Sequence, residues 1–79
     1  MNTKQLIISI ERNIKGYSPQ ATVTEDKNNN RIEIVIQDGI LPMTIIDIIR
    51  QYYYTEIIVT EIRAVGPCIK ILCKWRITQ

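Results

Sequence analysis

The sequence predicts an α+β fold: a helix and two strands, repeated once (αββαββ), form a four-stranded, mainly antiparallel sheet with both helices on one face. Apolar residues recur first at helical and then at strand spacing in each half of the 79-residue chain. Short segments also match between the halves, at offsets of 38, 36 and 37 residues: 7–13 with 45–51, 23–25 with 59–61, and 32–34 with 69–71. We therefore expect one domain, residues 1–79, with pseudo-repeats at 3–38 and 41–77.

The first helix is predicted to begin near Thr3, a residue type that caps helices, and to end before Gly16. Pro19 prevents its continuation. Its apolar stripe consists of Leu6, Ile7, Ile10, Ile14 and Tyr17.

A β-hairpin is predicted next. Residues 21–25 and 31–37 alternate between apolar and polar side chains and flank a polar turn rich in Asn. The alternation places Ile32, Ile34 and Ile36 on the core side.

The second helix is predicted to start at Pro42, whose missing N–H is tolerated in a first turn. Its apolar stripe is Ile45, Ile48, Ile49 and Tyr52, widened by Ile46 and Tyr53. An apolar face this wide indicates a helix that is unusually buried or that meets another chain.

The second hairpin has strands near 56–64 and 68–77 around the turn dipeptide Gly66-Pro67. The first of these strands is apolar on both faces, with Ile57 and Val59 on one side and Ile58 and Ile62 on the other. Such a strand usually lies centrally in a sheet or is covered on both sides.

Catalytic and metal-binding chemistry is not expected. The chain has no His, and Cys68 and Cys73 lie five residues apart in one predicted strand. An odd separation places them on opposite faces and about 16 Å apart, beyond the reach of a disulfide. Free thiols favour a reducing, cytoplasmic location. Without His to activate a cysteine and without four zinc ligands, we expect no enzyme, no cofactor and no metal.

The carboxylates show no spacing typical of a catalytic pair. Glu25 and Glu61 occupy equivalent positions of the repeat, so a two-fold axis could bring them together at a divalent metal, although solvated strand ends are the simpler interpretation. The element order is similar to that of LAGLIDADG homing endonucleases, whose acidic residues end two packed helices. Here the helix ends read 14–16 (Ile-Lys-Gly) and 53–55 (Tyr-Tyr-Thr), so the resemblance implies no site.

The leading functional expectation is a non-catalytic interaction or assembly module that self-associates, as a homo-oligomer, or docks on a larger protein. A chain of this length has a small core, and a partner is one way to stabilise it. The expected interface consists of Val35, Ile46, Tyr53, Ile57 and Leu72. The richness in Ile, with 18 residues, and in Asn and Lys also fits an AT-rich genome such as that of a phage or other mobile element.

The alternative expectation is a small nucleic-acid-binding protein. The formal net charge is +2, and all of it lies in the last hairpin. Its basic residues, which could track phosphates, are Arg63, Lys70, Lys74 and Arg76. Outward lysines on a strand also prevent sheets from aggregating, which is the competing interpretation. No segment has 18 consecutive apolar residues, so no membrane partner is expected.

Overall fold

The computed structural model describes residues 3–37 and 43–76. The elements in chain order are α1 (Thr3–Lys15), β1 (Thr22–Asp26), a 3₁₀ turn (Lys27–Asn29), β2 (Arg31–Ile36), α2 (Met43–Tyr52), β3 (Ile57–Val65) and β4 (Cys68–Trp75). Two helices and a four-stranded antiparallel sheet confirm the predicted α+β class. The predicted helix start at Pro42 and the predicted strand end at Ile77 lie outside the described residues, as do parts of the predicted repeat bounds, 38 and 41 among them.

The strand order is β1-β2-β4-β3, and every neighbouring pair is antiparallel. The two second strands of the hairpins therefore meet at the centre, where Ile34 lies opposite Ile71. β3 lies at an edge of the sheet. The two-sided apolar pattern that indicated a central or covered strand therefore belongs to an edge strand, exposed from Thr60 to Val65.

A bulge in β3 changes which residues share a face. The pairing with β4 shifts between Val59 and Glu61, so Thr60 is an extra residue. As a result Ile62 lies opposite Ile71, on the same face as Ile57 and Val59. The prediction that Ile62 shares a face with Ile58 was therefore wrong.

The core lies against one face of the sheet, which we call the inner face and define by Ile34 and Ile71. The opposite, outer face carries Glu33 and Leu72. α1 packs chiefly on β1, α2 packs chiefly on β3, and the helices contact each other. Alternate strand residues and the helix stripes join in one buried cluster, whose main members are Leu6, Ile10, Ile14, Ile32, Ile34, Ile36, Ile45, Ile46, Ile49, Ile57, Ile71, Cys73 and Trp75.

The two hairpin turns use residues suited to a left-handed backbone. Asn30 has φ of 54° and Gly66 has φ of 59°. In the longer turn, the Asp26 carboxylate accepts hydrogen bonds from the Asn29 backbone N–H and, at 2.7 Å, from its side-chain amide. The side-chain bond is the main reason that the pKa of Asp26 lies below its usual value. Neither described helix is long and apolar enough to cross a membrane.

Candidate functional site

Four of the five residues expected at a partner interface are covered by the chain itself. Ile46, Tyr53 and Ile57 belong to the core cluster. Leu72 lies on the outer face and is only 6% exposed, and Val35 is half-buried beside it. The side chains opposite Leu72 on the neighbouring strands are Glu33 and Glu61, so charged residues with apolar stems surround it.

The wide apolar face of α2 is used within the molecule, because this helix contacts both β3 and α1. Tyr53, just after its last turn, shows the second contact most clearly. Its hydroxyl lies 2.9 Å from Ser9 Oγ and accepts a hydrogen bond at 2.5 Å from the side-chain amide of Asn13. The neighbouring Tyr52 and Tyr54 are exposed. Of the three successive tyrosines, Tyr53 therefore points into the molecule, and Tyr52 and Tyr54 point outward.

Three of the predicted basic residues, Arg63, Lys70 and Lys74, share the outer face, but acidic residues lie among them. Lys70 pairs with Glu33 across the strands at 3.7 Å, and Arg63 pairs with Glu61 along β3. Lys74 lies opposite Arg31, a cation that sequence reasoning had not included. Arg76 follows β4 and is exposed. The result is a mixed-charge surface, whose strand residues of either sign are Asp26, Arg31, Glu33, Glu61, Arg63, Lys70 and Lys74.

The largest departure from a polar surface among the described strands is on β3. Ile58, Ile62 and Val65 are 42%, 46% and 43% exposed, and we call these three residues the β3 strip. They lie on both faces of the strand, and Glu61 and Arg63 flank Ile62. The two-sided apolar pattern of this segment was the sequence signal for the strip, but it was read as evidence of burial.

A shallow groove borders the β3 strip where α2 ends and β3 begins. It is lined by Ile49, Arg50, Tyr54, Ile57, Ile58, Val59 and Arg76. Its charged lining residues within the described chain are both arginines. An apolar side chain approaching β3 from the side would therefore meet Ile58 and the exposed ring of Tyr54 at the same point.

The opposite edge of the sheet is built differently. β1 has five residues, against nine in β3, and it ends in Glu25 and Asp26. The Val23 N–H donates to the Glu11 carboxylate of α1 at 3.1 Å. Glu11 also pairs with Lys15 at 3.3 Å. A side chain therefore already occupies part of the hydrogen-bonding edge of β1, which is a common way to prevent further strands from adding.

The structure does not bring Glu25 and Glu61 together. They lie on β1 and β3, at opposite edges of the four-stranded sheet, which places them roughly 14 Å apart or more. Glu25 is on the side of β1 that carries Val23, whereas Glu61 lies on the outer face. No group of three potential metal ligands occurs within residues 3–37 and 43–76.

Both cysteines are free thiols. Cys73 lies in the core, and burial raises the pKa of its thiol from 9.0 to about 12. A thiol that stays protonated at neutral pH is a poor nucleophile. Cys68 is half-exposed at the start of β4.

Comparison with known proteins adds no identification: no protein-family model matches the chain, and no curated protein or solved structure matches it significantly.

Proposed function

We propose that this chain is a non-catalytic protein-interaction module that self-associates or docks on a protein partner through the β3 strip. The observation that carries the proposal is the combination of three exposed large apolar side chains with a strand at the edge of the sheet. An edge strand offers a row of N–H and C=O groups to an added strand, and exposed apolar patches often mark partner sites. β3 is the longer edge, and its last six residues are exposed.

The position of the interface differs from the sequence-based expectation for a physical reason. Side chains such as Ile46 and Ile57 contribute to the core of a small domain and are already removed from water. Removing Ile58, Ile62 and Val65 from water on association would bury additional apolar area, which favours binding by roughly 25 cal/mol per Å² before association costs. The proposal therefore rests on residues that the chain cannot cover alone.

The test compares wild type with a variant in which Ile58, Ile62 and Val65 are all changed to Thr, a residue that retains β propensity. Ile8→Thr is the matched control, because Ile8 is 50% exposed on α1, away from β3. Sedimentation velocity measures self-association, and affinity capture from cells that express the chain naturally measures binding to other proteins. Association that is lost in the triple variant and kept in Ile8→Thr supports the proposal. Association that survives in the triple variant, or is absent from wild type in both assays, overturns it.

The second candidate function is nucleic-acid binding through Lys70, Lys74, Arg76 and Arg63. The observation in its favour is that Arg31 extends the cationic row beside Lys74. Three acids on the same face oppose it. The candidate requires affinity that falls steeply with salt concentration and is lost when Lys70, Lys74 and Arg76 all become Glu. Binding that is insensitive to either change removes it.

We also infer that the two halves are a structural repeat about a pseudo-two-fold axis, with both helices on one face of the sheet. The β2–β4 register supports this: Ile34 lies opposite Ile71, at an offset of 37. The pairs on either side, Ile32 with Cys73 and Ile36 with Ile69, exchange under the same offset. A two-fold axis through the Ile34–Ile71 pair requires this pattern.

A further inference from the structure

We propose that the partner of the β3 strip is a second copy of this chain, bound by antiparallel pairing of β3 with β3 about a two-fold axis at Ile62. The inference rests on the proposed function and names its partner. The product is a continuous eight-stranded sheet in which each copy contributes β1-β2-β4-β3. Three features support this pairing: the charge pattern of β3, its apolar pattern and the contrast between the two edges of the sheet.

The charges on β3 are self-complementary when two copies of the strand run antiparallel about Ile62. Glu61 then lies opposite Arg63 of the second copy, and Arg63 lies opposite its Glu61. Moving the centre by one residue places Glu61 opposite Glu61, or Arg63 opposite Arg63, which is unfavourable. Within one chain the two side chains already form an ion pair along the strand. They are exposed on the outer face, so they are able to exchange this partner for the one across the axis.

The same register covers the apolar residues. The two Ile62 side chains, each 46% exposed, become direct cross-strand neighbours on the inner face. Because Thr60 is an extra residue in each copy, Val65 lies on the outer face at the level of Ile58 of the second copy, beside the groove that also contains Tyr54. This alignment places all three members of the β3 strip against apolar surface and also pairs opposite charges. The registers one residue to either side do not do both.

Association stops at two copies because the remaining edges are shielded. After β3 pairs with β3, the free edges of the eight-stranded sheet are the two β1 strands. Each is short and acidic at its end, and its Val23 N–H is bonded to Glu11. The contact is isologous, so it closes as a dimer rather than extending into a fibre.

The experiment uses charge-swapped variants of the 79-residue chain. In Glu61→Arg and Arg63→Glu, each homodimer places like charges opposite one another twice, so we expect the dimer dissociation constant to rise about tenfold or more. An equimolar mixture of the two variants restores opposite charges at both positions. We therefore expect the mixture, measured by sedimentation equilibrium, to form a heterodimer close to wild-type affinity. This readout does not depend on the ion pair within one chain, which both variants lack.

A cross-link reports the register independently. In a Cys68→Ser background, Ile62→Cys places two thiols directly opposite each other, at a Cα separation of about 4.5–5.5 Å that permits a disulfide. Ala64→Cys is the control, because position 64 lies at the level of positions 59 and 60 of the second copy, and the two thiols are about 14 Å or more apart along the strands. Cys73 is buried and stays out of the reaction. On mild oxidation, we expect the Ile62→Cys variant to form a disulfide-linked dimer rapidly and the Ala64→Cys variant to form none.

The outcomes separate this inference from the proposed function. A chain that stays monomeric, but captures another protein through the β3 strip, overturns the dimer and leaves the interaction function standing. The register is overturned if both charge variants dimerise as well as wild type, or if the Ala64→Cys variant cross-links as readily as the Ile62→Cys variant. Absence of any association dependent on the β3 strip overturns both proposals.

Discussion

Removing the hydroxyl of Tyr53 tests how the end of α2 is held against α1. The hydroxyl contacts Ser9 Oγ at 2.9 Å and accepts from the Asn13 amide at 2.5 Å. Tyr53→Phe keeps the buried ring and deletes both hydrogen bonds. Each is worth about 0.5–1.5 kcal/mol net, and both partners are partly accessible to water, so the sum falls towards the lower part of the range. We expect a loss of about 1–2 kcal/mol in the free energy of unfolding.

That loss is large for a chain of this size, whose total stability is roughly 4–12 kcal/mol. At about 4–8 °C per kcal/mol, the melting temperature should fall by roughly 4–16 °C. Urea unfolding followed by circular dichroism gives the free energy, with the slope m unchanged.

The matched control is Tyr54→Phe, which removes the same atom from an exposed ring and should change stability by less than about 0.5 kcal/mol. Equal effects of the two changes would refute the argument. So would a Tyr53→Phe chain of full stability that has lost self-association, because the hydroxyl would then serve a partner and not α1.

Three further predictions follow from the turns and the thiols. Gly66→Ala should destabilise the chain by about 1–2 kcal/mol because φ is +59°, whereas Gly16→Ala, whose new Cβ would lie 3.4 Å from a backbone oxygen, should change stability by less than about 0.5 kcal/mol in thermal unfolding. Above pH 9 the Cys73 thiol ionises in the unfolded chain, whereas in the folded chain it stays protonated to about pH 12. The contribution of Cys73 to the free energy of unfolding should therefore fall by about 1.4 kcal/mol per pH unit between these values. The difference between wild type and Cys73→Ala in urea titrations measures this contribution. With a thiol reagent at neutral pH, Cys68 should react in the folded state and Cys73 only at the rate of unfolding, and simultaneous reaction of both would contradict the burial of Cys73.

The alternation of β2 and β4 was sufficient to predict these two strands and their buried faces. A strand in which apolar and polar residues alternate buries its apolar face whatever the strand order. The burial of Ile32 and Ile34 therefore follows from the local pattern. The strand order β1-β2-β4-β3 does not follow from the local pattern. It depends on which strands of the two hairpins pair with each other, and these strands are far apart in the sequence. The bulge at Thr60 was equally invisible, because one extra residue leaves the composition of the strand unchanged.

The sequence-based interface prediction used hydrophobic excess as the sign of a partner. Excess on α2 reflects two neighbours inside the chain, so Ile46 and Tyr53 are buried without a second protein. On β3 the same kind of excess stays exposed, because Thr60 to Val65 are all exposed at the edge of the sheet. Identical sequence signals therefore have opposite meanings, and the position of an element at the centre or the edge of the fold decides between them.

The proposed repeat explains why one edge is shielded and the other is not. In the helices, Leu6 and Ile10 correspond to Ile45 and Ile49 at an offset of 39, and the residues opposite Ile34 and Ile71 on the edge strands, Val23 and Ile62, differ by the same 39. The second strands differ by 37, and the difference of two is the difference between turns of four and two residues.

Offset 39 aligns Glu11, which accepts the N–H of Val23, with Arg50. A guanidinium donates hydrogen bonds and cannot accept one, so Arg50 cannot accept a backbone N–H of β3 as Glu11 accepts that of Val23. The match of the first strands at an offset of 36 had instead aligned Glu25 with Glu61 and suggested a metal site. At offset 39 Glu25 corresponds to Ala64, and the two halves of the proposed repeat differ in carrying an acceptor, Glu11, and a donor, Arg50, at equivalent helix positions.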